Sequence, residues 1–152
     1  MRHCWKESHR RQSGSALIEL ALCFPVILLL FFGTVDFGRI FYASVELTSA
    51  AWAGAAYANA DPAHYSDSAG IQAAAQADAQ DISPITVSSM KFCQCANGSS
   101  VSCAGSCATG AVRTYVQVTA SKTFTSWFNF SYNSYSTPQS TPVGNTVTLR
   151  VK

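Results

Sequence analysis

The sequence predicts an α+β fold with a long N-terminal helix, a shorter second helix and an antiparallel sheet of three or four strands. Three observations predict it. Residues 15–60 are first strongly apolar and then rich in alanine, which favours a helix. Residues 66–81 form a second alanine-rich stretch that begins with helix-starting residues. After Pro84, apolar and polar residues alternate in several short segments, which is typical of half-buried strands.

The first half of the long helix is predicted to cross a membrane. Between Arg11 and Asp36 there is a single charged residue, Glu19. Residues 15–35 number 21, and about 20 helical residues span a hydrocarbon core of about 30 Å. Residues 1–14 contain four basic residues and one acidic residue. The positive-inside rule therefore keeps residues 1–14 in the cytoplasm and exports the C-terminal part.

The charge distribution excludes an ordinary cytosolic globule and a nucleic-acid binder. Only 12% of the 152 residues are charged, against about 25% in an average soluble domain. The net charge of +2 comes from residues 1–14, because the rest of the chain has six basic and seven acidic residues. A nucleic-acid binder needs a basic face on its folded part, and these counts provide none.

A cleaved signal peptide is the alternative for the apolar segment. Such a peptide has an apolar core of about 7–15 residues followed closely by an A-x-A-like site. The apolar run here is longer, and the first such site, Ala51-Trp52-Ala53, lies far beyond it. The length and the spacing favour a membrane span.

Glu19 is the informative charge in this segment. An ionised carboxylate in an apolar span is costly unless it is paired, so it is a functional candidate. Glu19 stands five residues after Gly14, and a basic leader precedes that glycine. This arrangement resembles a type IV prepilin or pseudopilin processing site, cut after Gly14 to leave Ser15 as the new N-terminus. The resemblance implies that Glu19 pairs with the free amine of a neighbouring subunit; the alternative is a carboxylate that snorkels to the cytoplasmic interface.

The resemblance extends along the helix. Beyond Gly14–Glu19, the matching segments are Phe24-Pro25, Gly33–Ala43 and Leu47–Ala51. Over about residues 14–60 the sequence resembles the TadE-like family of pseudopilins. Two positions depart from the family pattern, since Asp36 stands where glutamate is common and Leu20 where an aromatic is frequent.

This resemblance implies a minor pilin of a tight-adherence (type IVc) pilus and secretion system, with a pilin-like fold. The implied partners are the membrane, other pilin subunits, the pilus assembly machinery and a prepilin peptidase. The implied location is the inner membrane, crossed once, with a periplasmic or extracellular C-terminal domain, and a place in the pilus is a further implication.

The predicted organisation has four parts: a leader (1–14), a transmembrane helix (15–35), its extramembrane continuation (36–60) and an exported α+β domain (61–152). Asp36 and Arg39 are three residues apart on the helix, so their side chains can meet near the outer membrane boundary. They form either a simple interfacial ion pair or part of a subunit contact.

The exported domain is predicted from its local patterns. The second helix starts at Ser66-Asp67, with the acid in its first turn, and runs to about Asp81. Strands are predicted over residues 85–95, 112–120 and 143–151. The aromatic residues between 124 and 135 either cover the sheet and helix or form an exposed contact loop.

Four of the six cysteines form a cluster that predicts two disulfides in an exported domain: Cys93, Cys95, Cys103 and Cys107. Three connectivities are possible. A hairpin centred on residues 96–99 favours the nested pairs Cys95–Cys103 and Cys93–Cys107. A zinc site with four cysteine ligands is the rival. Only one residue separates Cys93 from Cys95, however, whereas zinc motifs have two to four residues between paired ligands. No Cys-x-x-Cys redox motif is present, and Cys4 and Cys23 are expected to stay unpaired.

The sequence predicts no enzyme, no metal and no cofactor. His64 is the only histidine beyond the leader, and it is interpreted as an exposed loop residue with no nucleophile pattern beside it. No phosphate-binding glycine loop or paired-histidine zinc motif occurs. The alternative to a pilin is a static single-span membrane protein with an exported ligand-binding or adhesive domain. Processing after Gly14 by a prepilin peptidase distinguishes the two.

Overall fold

The computed structural model describes residues 12–108, 110–127, 131–132, 135–136 and 140–151. The helices are α1 (Gln12–Ala60) and α2 (Ser68–Asp78), with 3₁₀ turns at Pro62–Ser66 and Gln80–Ile82. The strands are β1 (Thr86–Gln94), β2 (Ser100–Val101), β3 (Arg113–Thr125), β4 (Ser131–Tyr132), β5 (Tyr135–Ser136) and β6 (Ser140–Val151). The α+β fold class is confirmed. The chain divides after Arg39 into two compact units, and each is described by itself.

The first unit contains α1 up to Arg39, with Pro25 inside the helix. Its large apolar side chains between Leu17 and Phe31 are 53–73% exposed at most positions. Burying such side chains is the main favourable term in the folding of a water-soluble protein. The apolar surface of this unit is therefore available to lipid or to other helices.

The second unit is built around a four-stranded antiparallel sheet in the order β2-β1-β3-β6. Strand β3 is its centre, because it pairs with β1 over nine residues and with β6 over twelve. The predicted strands at 85–95, 112–120 and 143–151 correspond to β1, β3 and β6. Strand β3 continues five residues beyond the prediction, to Thr125. Strands β4 and β5 pair only with each other in the described part of the chain.

The core lies between the helices and one face of the sheet. Val116, Val118 and Ala120 alternate along β3 and are fully buried. The helices contribute Leu47, Ala51, Ile71 and Ala75 to the same cluster. This face of the sheet is called the inner face here, and the opposite face the outer face.

Gly54 lets α1 approach α2 and β3 closely. A Cβ atom built on Gly54 would lie 3.2 Å from the Cγ2 and the carbonyl oxygen of Ile71 and 3.2 Å from Val118 Cγ1. Most real Cβ atoms do not come so close to their neighbours. The small side chains in this half of α1 therefore provide a short helix-to-sheet distance.

Polar contacts fix the register of the helix against the end of the chain. Asn145 in β6 donates from Nδ2 to the carbonyl oxygen of Ser44 at 2.8 Å and to its Oγ at 3.1 Å. Tyr42 donates from its hydroxyl to Asp81, and Lys122 donates from Nζ to the carbonyl oxygen of Ile82. These bonds join α1, the Gln80–Ile82 turn, β3 and β6.

The start of the second helix differs from the prediction. Helix α2 begins at Ser68, and Asp67 is its N-cap, whose side chain accepts a hydrogen bond from the Gly70 amide. An aspartate just outside the helix satisfies an amide that has no intrahelical partner. The helix ends at Asp78, and residues as far as Ile82 continue as a 3₁₀ turn.

The aromatic segment is described only in part. Phe124 is buried, while Trp127 is 68% exposed. Residues 128–130 and the side chains of Tyr132 and Tyr135 lie outside the described residues, as do leader residues 1–11 with Cys4. The choice between a covering role and a contact role for this segment stays a prediction.

Candidate functional site

The apolar part of α1 is the first candidate. In the part of the chain that the structure describes, α1 is the helix that is long and apolar enough to cross a membrane. None of the residues in its most apolar stretch is buried. A core helix of a water-soluble protein would be covered. One candidate membrane-spanning helix near the N-terminus is consistent with a single-pass membrane protein.

Gly14, Ser15 and Glu19 all lie on the exposed surface of α1. Gly14 is the third residue of the helix, and nothing lies within 4 Å of the position where its Cβ would be. Glu19 has no hydrogen bond or ion pair among the described residues. The structure brings no described group to this carboxylate, so its pairing role stays a prediction.

Asp36 and Arg39 meet at the end of the apolar segment. Arg39 Nη1 lies 3.2 Å from Asp36 Oδ1, as the three-residue spacing predicts. The side chain of Asp36 is 12% exposed, whereas that of Arg39 is 38% exposed. A partly solvated pair of this kind contributes roughly 0–1 kcal/mol, so it fixes the position of two charges more than it stabilises the helix.

The stretch that contains these residues matches a protein family. Residues 14–56 match the family model described as TadE-like protein. The chain carries a TadE-like segment. The match confirms the resemblance and includes Gly14, Glu19 and the Asp36–Arg39 pair. The TadE-like family is a pilus-related structural family that is not known to be enzymatic. No curated protein and no solved structure matches the chain.

Beyond the TadE-like segment, two disulfides hold the loops at the β1–β2 end of the sheet. They join Cys93 to Cys103 and Cys95 to Cys107. The four predicted cysteines are therefore bonded in two pairs, and none of them is free to ligate zinc. Cys23 is free and exposed, as expected.

The nested pairing expected from the hairpin is wrong, and the register explains why. In the hairpin, Val101 lies opposite Cys93, and the Cys95 amide donates to the Ser99 carbonyl oxygen. The turn is therefore one residue tighter than a loop centred on residues 96–99 implies. Strand β2 has only two residues, and the chain turns again at Ser102, which accepts a bond from the Gly105 amide. Cys103 thus reaches the buried Cys93, and Cys107 meets Cys95.

A second group of polar side chains lies at the connection between α1 and α2. The His64 ring stacks on Tyr57 with centroids 4.2 Å apart, and its Nδ1 lies 3.2 Å from the Tyr57 carbonyl oxygen. His64 is half-buried, so the interpretation as an exposed loop residue is wrong. Tyr57 donates from its hydroxyl to Asp67 at 2.9 Å. A Cβ on Gly70 would overlap both Tyr57 and Asp67, so glycine leaves room for this contact.

The ionisation of this group follows from its hydrogen bonds. The Gly70 amide, and then the Tyr57 hydroxyl, stabilise the Asp67 carboxylate and hold its pKa below the usual value of 3.8. The same carboxylate raises the pKa of Tyr57. The Asp67 carboxylate caps α2 and accepts a hydrogen bond from Tyr57. The group is therefore suited to fixing the connection between α1 and α2 rather than to transferring protons.

Tyr42 and Asp81 form a similar contact. The hydrogen bond to Asp81 is the largest cause that raises the pKa of Tyr42 to about 12. The tyrosine in turn lowers the pKa of Asp81. This pair connects α1 to the turn after α2 across 39 residues of sequence.

The charges of the second unit are separated along the chain, a feature that whole-chain counts conceal. Residues 40–81 contain five acidic residues and no lysine or arginine, whereas residues 82–152 contain five lysines or arginines and no acidic residue. The first stretch supplies the helices and the second supplies the sheet. Sequence reasoning based on the net charge alone missed the basic sheet.

Proposed function

We propose that the protein is a minor pilin or pseudopilin of a tight-adherence (type IVc) pilus and secretion system. The match of residues 14–56 to the TadE-like family supports it most, together with the exposed apolar helix in which Glu19 lies. The protein works by assembly through this helix, and residues 61–152 form its exported domain.

The leader, residues 1–14, is removed by a prepilin peptidase that cuts between Gly14 and Ser15. Gly14 lies within the first turn of α1. Glycine is a poor helix former and helix ends fray, so this turn opens at low cost to admit a peptidase. The cut creates a cationic amine on Ser15 at the start of the apolar segment.

Glu19 supplies the complementary charge. Its carboxylate has no partner in the described part of the chain and lies in a segment that enters lipid. An unpaired charge in the hydrocarbon region is costly, and an amine from a neighbouring subunit lowers the cost for both groups. Incorporation of a subunit is therefore favoured over free diffusion in the membrane.

The cleavage step is tested by co-expressing the full chain with a prepilin peptidase and measuring intact mass. A mature chain that starts at Ser15 is expected, and Gly14→Val blocks the cut because the peptidase site is lost. Gly33→Val is the matched control, since it adds the same side chain to the same helix beyond the site. A wild-type chain that keeps its leader under these conditions contradicts the pilin function and favours the static membrane protein.

The pairing step is tested with Glu19→Gln, which removes the charge and keeps the size. Membrane insertion and the two disulfides are expected to be unchanged. Recovery of the subunit with purified pili is expected to fall by about tenfold or more, which is the factor that corresponds to the loss of one charge-assisted contact. Glu46→Gln is the control, because Glu46 lies on the same helix beyond the membrane segment. Equal incorporation of the Glu19→Gln variant and wild type removes the pairing role.

A further inference from the structure

Two arginines are neighbours at one end of the outer face of the sheet. Arg150 in β6 lies opposite Tyr115 in β3, and Arg113, two residues before Tyr115, lies opposite Gln94 in β1. Side chains two apart on a strand share a face, so Arg113, Tyr115 and Arg150 lie on the face opposite the buried core. Arg113 and Arg150 are therefore diagonal neighbours, about 7–8 Å apart at the backbone, and their long side chains bring the two guanidinium groups within reach of one ligand.

A cavity of about 280 Å³ opens at this end of the sheet, lined by Val112, Arg113, Thr114, Arg150 and Val151. Successive residues of a strand point to opposite faces, so the cavity extends around the end of the sheet, and the two arginines line its outer-face side. Its size suits a single ring-sized group, at the lower end of the range for small-ligand sites. Arg113 is half-buried and Arg150 is exposed, so both line the cavity with solvent access.

Neither arginine has a carboxylate partner among the described residues. The sequence explains this, because no aspartate or glutamate follows Asp81. The acidic residues of this unit lie in the helical stretch, which packs on the inner face. The outer face therefore presents positive charge that the sheet itself does not neutralise.

An aromatic pair lies directly beside the arginines. Phe92 and Tyr115 are opposite each other on β1 and β3, and their rings stack with centroids 5.4 Å apart and an angle of 14°. Both side chains are half-buried, so part of each ring faces solvent. The next cross-strand position carries Gln117 opposite Thr148.

The row after that carries hydroxyl groups. Thr119 and Thr146 share a hydrogen bond of 2.9 Å between their Oγ1 atoms. The outer face thus changes within a few residues from two neighbouring arginines, through an aromatic pair, to groups that both donate and accept hydrogen bonds.

We infer that this end of the outer face binds an acidic saccharide, a uronic acid unit of a polysaccharide. Its carboxylate is bound by the guanidinium groups of Arg113 and Arg150, which form charge-assisted and bidentate hydrogen bonds. The C–H face of the sugar ring lies on the exposed part of the Phe92–Tyr115 pair, whose π-electrons attract weakly positive C–H groups.

The polar groups beside the aromatic pair favour a saccharide over a nucleic acid. Sugar hydroxyls donate and accept hydrogen bonds, and the side chains of Gln117 and Thr148 do the same. A phosphodiester only accepts, and its binding needs positive charge spread over several phosphates. Here two arginines are concentrated at one cavity. The inference concerns the second unit alone and stands whether or not the leader is cleaved.

The test is calorimetric titration of the full chain in a detergent without sugar groups, at low ionic strength, with tetragalacturonate as the probe. Saturable binding is expected. The paired substitution Arg113→Gln with Arg150→Gln weakens binding by about tenfold or more, because each charge-assisted bond is worth about 1.5–3 kcal/mol. Lys91→Gln is the control, since it removes one exposed basic group from the same sheet outside the cavity.

Two further variants separate charge from geometry. Arg113→Lys with Arg150→Lys keeps the charge and loses bidentate binding, so an intermediate affinity is expected. Tyr115→Leu weakens binding while the dependence on salt stays as in wild type. Circular dichroism and retention of both disulfides show that each variant is folded.

Three other probes identify the ligand class. Cellotetraose, which is neutral, is expected to bind at least tenfold more weakly than tetragalacturonate. If monogalacturonate binds as tightly as tetragalacturonate, the ligand is a free uronic acid. If monogalacturonate binds more weakly, the ligand is the polysaccharide. The inference is overturned if tetragalacturonate does not bind, if cellotetraose binds equally well, if an oligothymidylate binds more tightly, or if Lys91→Gln loses as much affinity as the paired glutamine variant.

Discussion

Removing the two disulfides one at a time should produce unequal losses of stability. Each cross-link restricts the unfolded chain by an amount that depends on loop length. The sequence separations are 10 for Cys93–Cys103 and 12 for Cys95–Cys107. The loop-entropy relation gives about 2.7 kcal/mol for the first and about 2.8 kcal/mol for the second. Loop length alone therefore predicts nearly equal effects.

Burial breaks this equality. Cys93 is 2% exposed and belongs to the sheet, whereas Cys95 is half-buried in the turn. Replacing Cys93 with alanine also removes a buried sulfur, at a further cost of about 1 kcal/mol. The variant C93A/C103A should lose about 4 kcal/mol and C95A/C107A about 3 kcal/mol. These losses correspond to a fall in Tm of roughly 10–25 °C.

The assay is thermal unfolding of the full chain in detergent, followed by near-ultraviolet circular dichroism. Peptide mapping without reduction gives the connectivity in parallel. If C95A/C107A is destabilised as much as C93A/C103A, the burial argument fails. If the map joins Cys93 to Cys107, the crossed pairing itself is refuted.

Two other changes test the second unit. Tyr42→Phe should flatten the dependence of stability on pH. The pKa of Tyr42 is raised to about 12, so the hydroxyl contributes its full stabilisation below about pH 10 and loses it as the pH rises to 12. The pKa of Asp81 is lowered, so its contribution to stability is present above the usual value of 3.8 and is lost on further acidification. If the Tyr42–Asp81 contact is unimportant, the melting curves of Tyr42→Phe and wild type will coincide at both high and low pH. Gly54→Val should cost about 1–3 kcal/mol in unfolding free energy by overpacking, while Gly38→Val, with open space around it, should cost little; equal effects would mean that α1 is not closely packed at Gly54.

The sequence predicts the elements whose signals are local and repeated. The long helix ends at Ala60 as Asp61-Pro62 indicates, and the alternation of β3 and β6 places their buried residues correctly. Strand β3 runs further than predicted because residues 121–125 pair with residues 140–144 of β6. Lys122 adds a contact to the carbonyl oxygen of Ile82. A local pattern does not contain such a partner.

The disulfide pairing and the basic cavity needed information of another kind. A shift of one residue in a hairpin changes which cysteines meet, and the turn at Gly98 sets that register. Arg113 and Arg150 are 37 residues apart, and only the pairing of β3 with β6 makes them neighbours. Counting charges in separate halves of the second unit, rather than over the whole chain, would have indicated a basic sheet.

The bond from Asn145 to Ser44 has a consequence for the order in which the chain matures. The disulfide loops span 10 and 12 residues, whereas this bond joins groups 101 residues apart. Closing the longer loop costs about 2 kcal/mol more in chain entropy. The cysteine hairpin can thus oxidise before the sheet is complete, while the contact between α1 and β6 forms only when β6 is in place. A chain interrupted between these two steps would carry its cross-links while the contact between α1 and β6 is still missing, and a protease would have that interval in which to cut it.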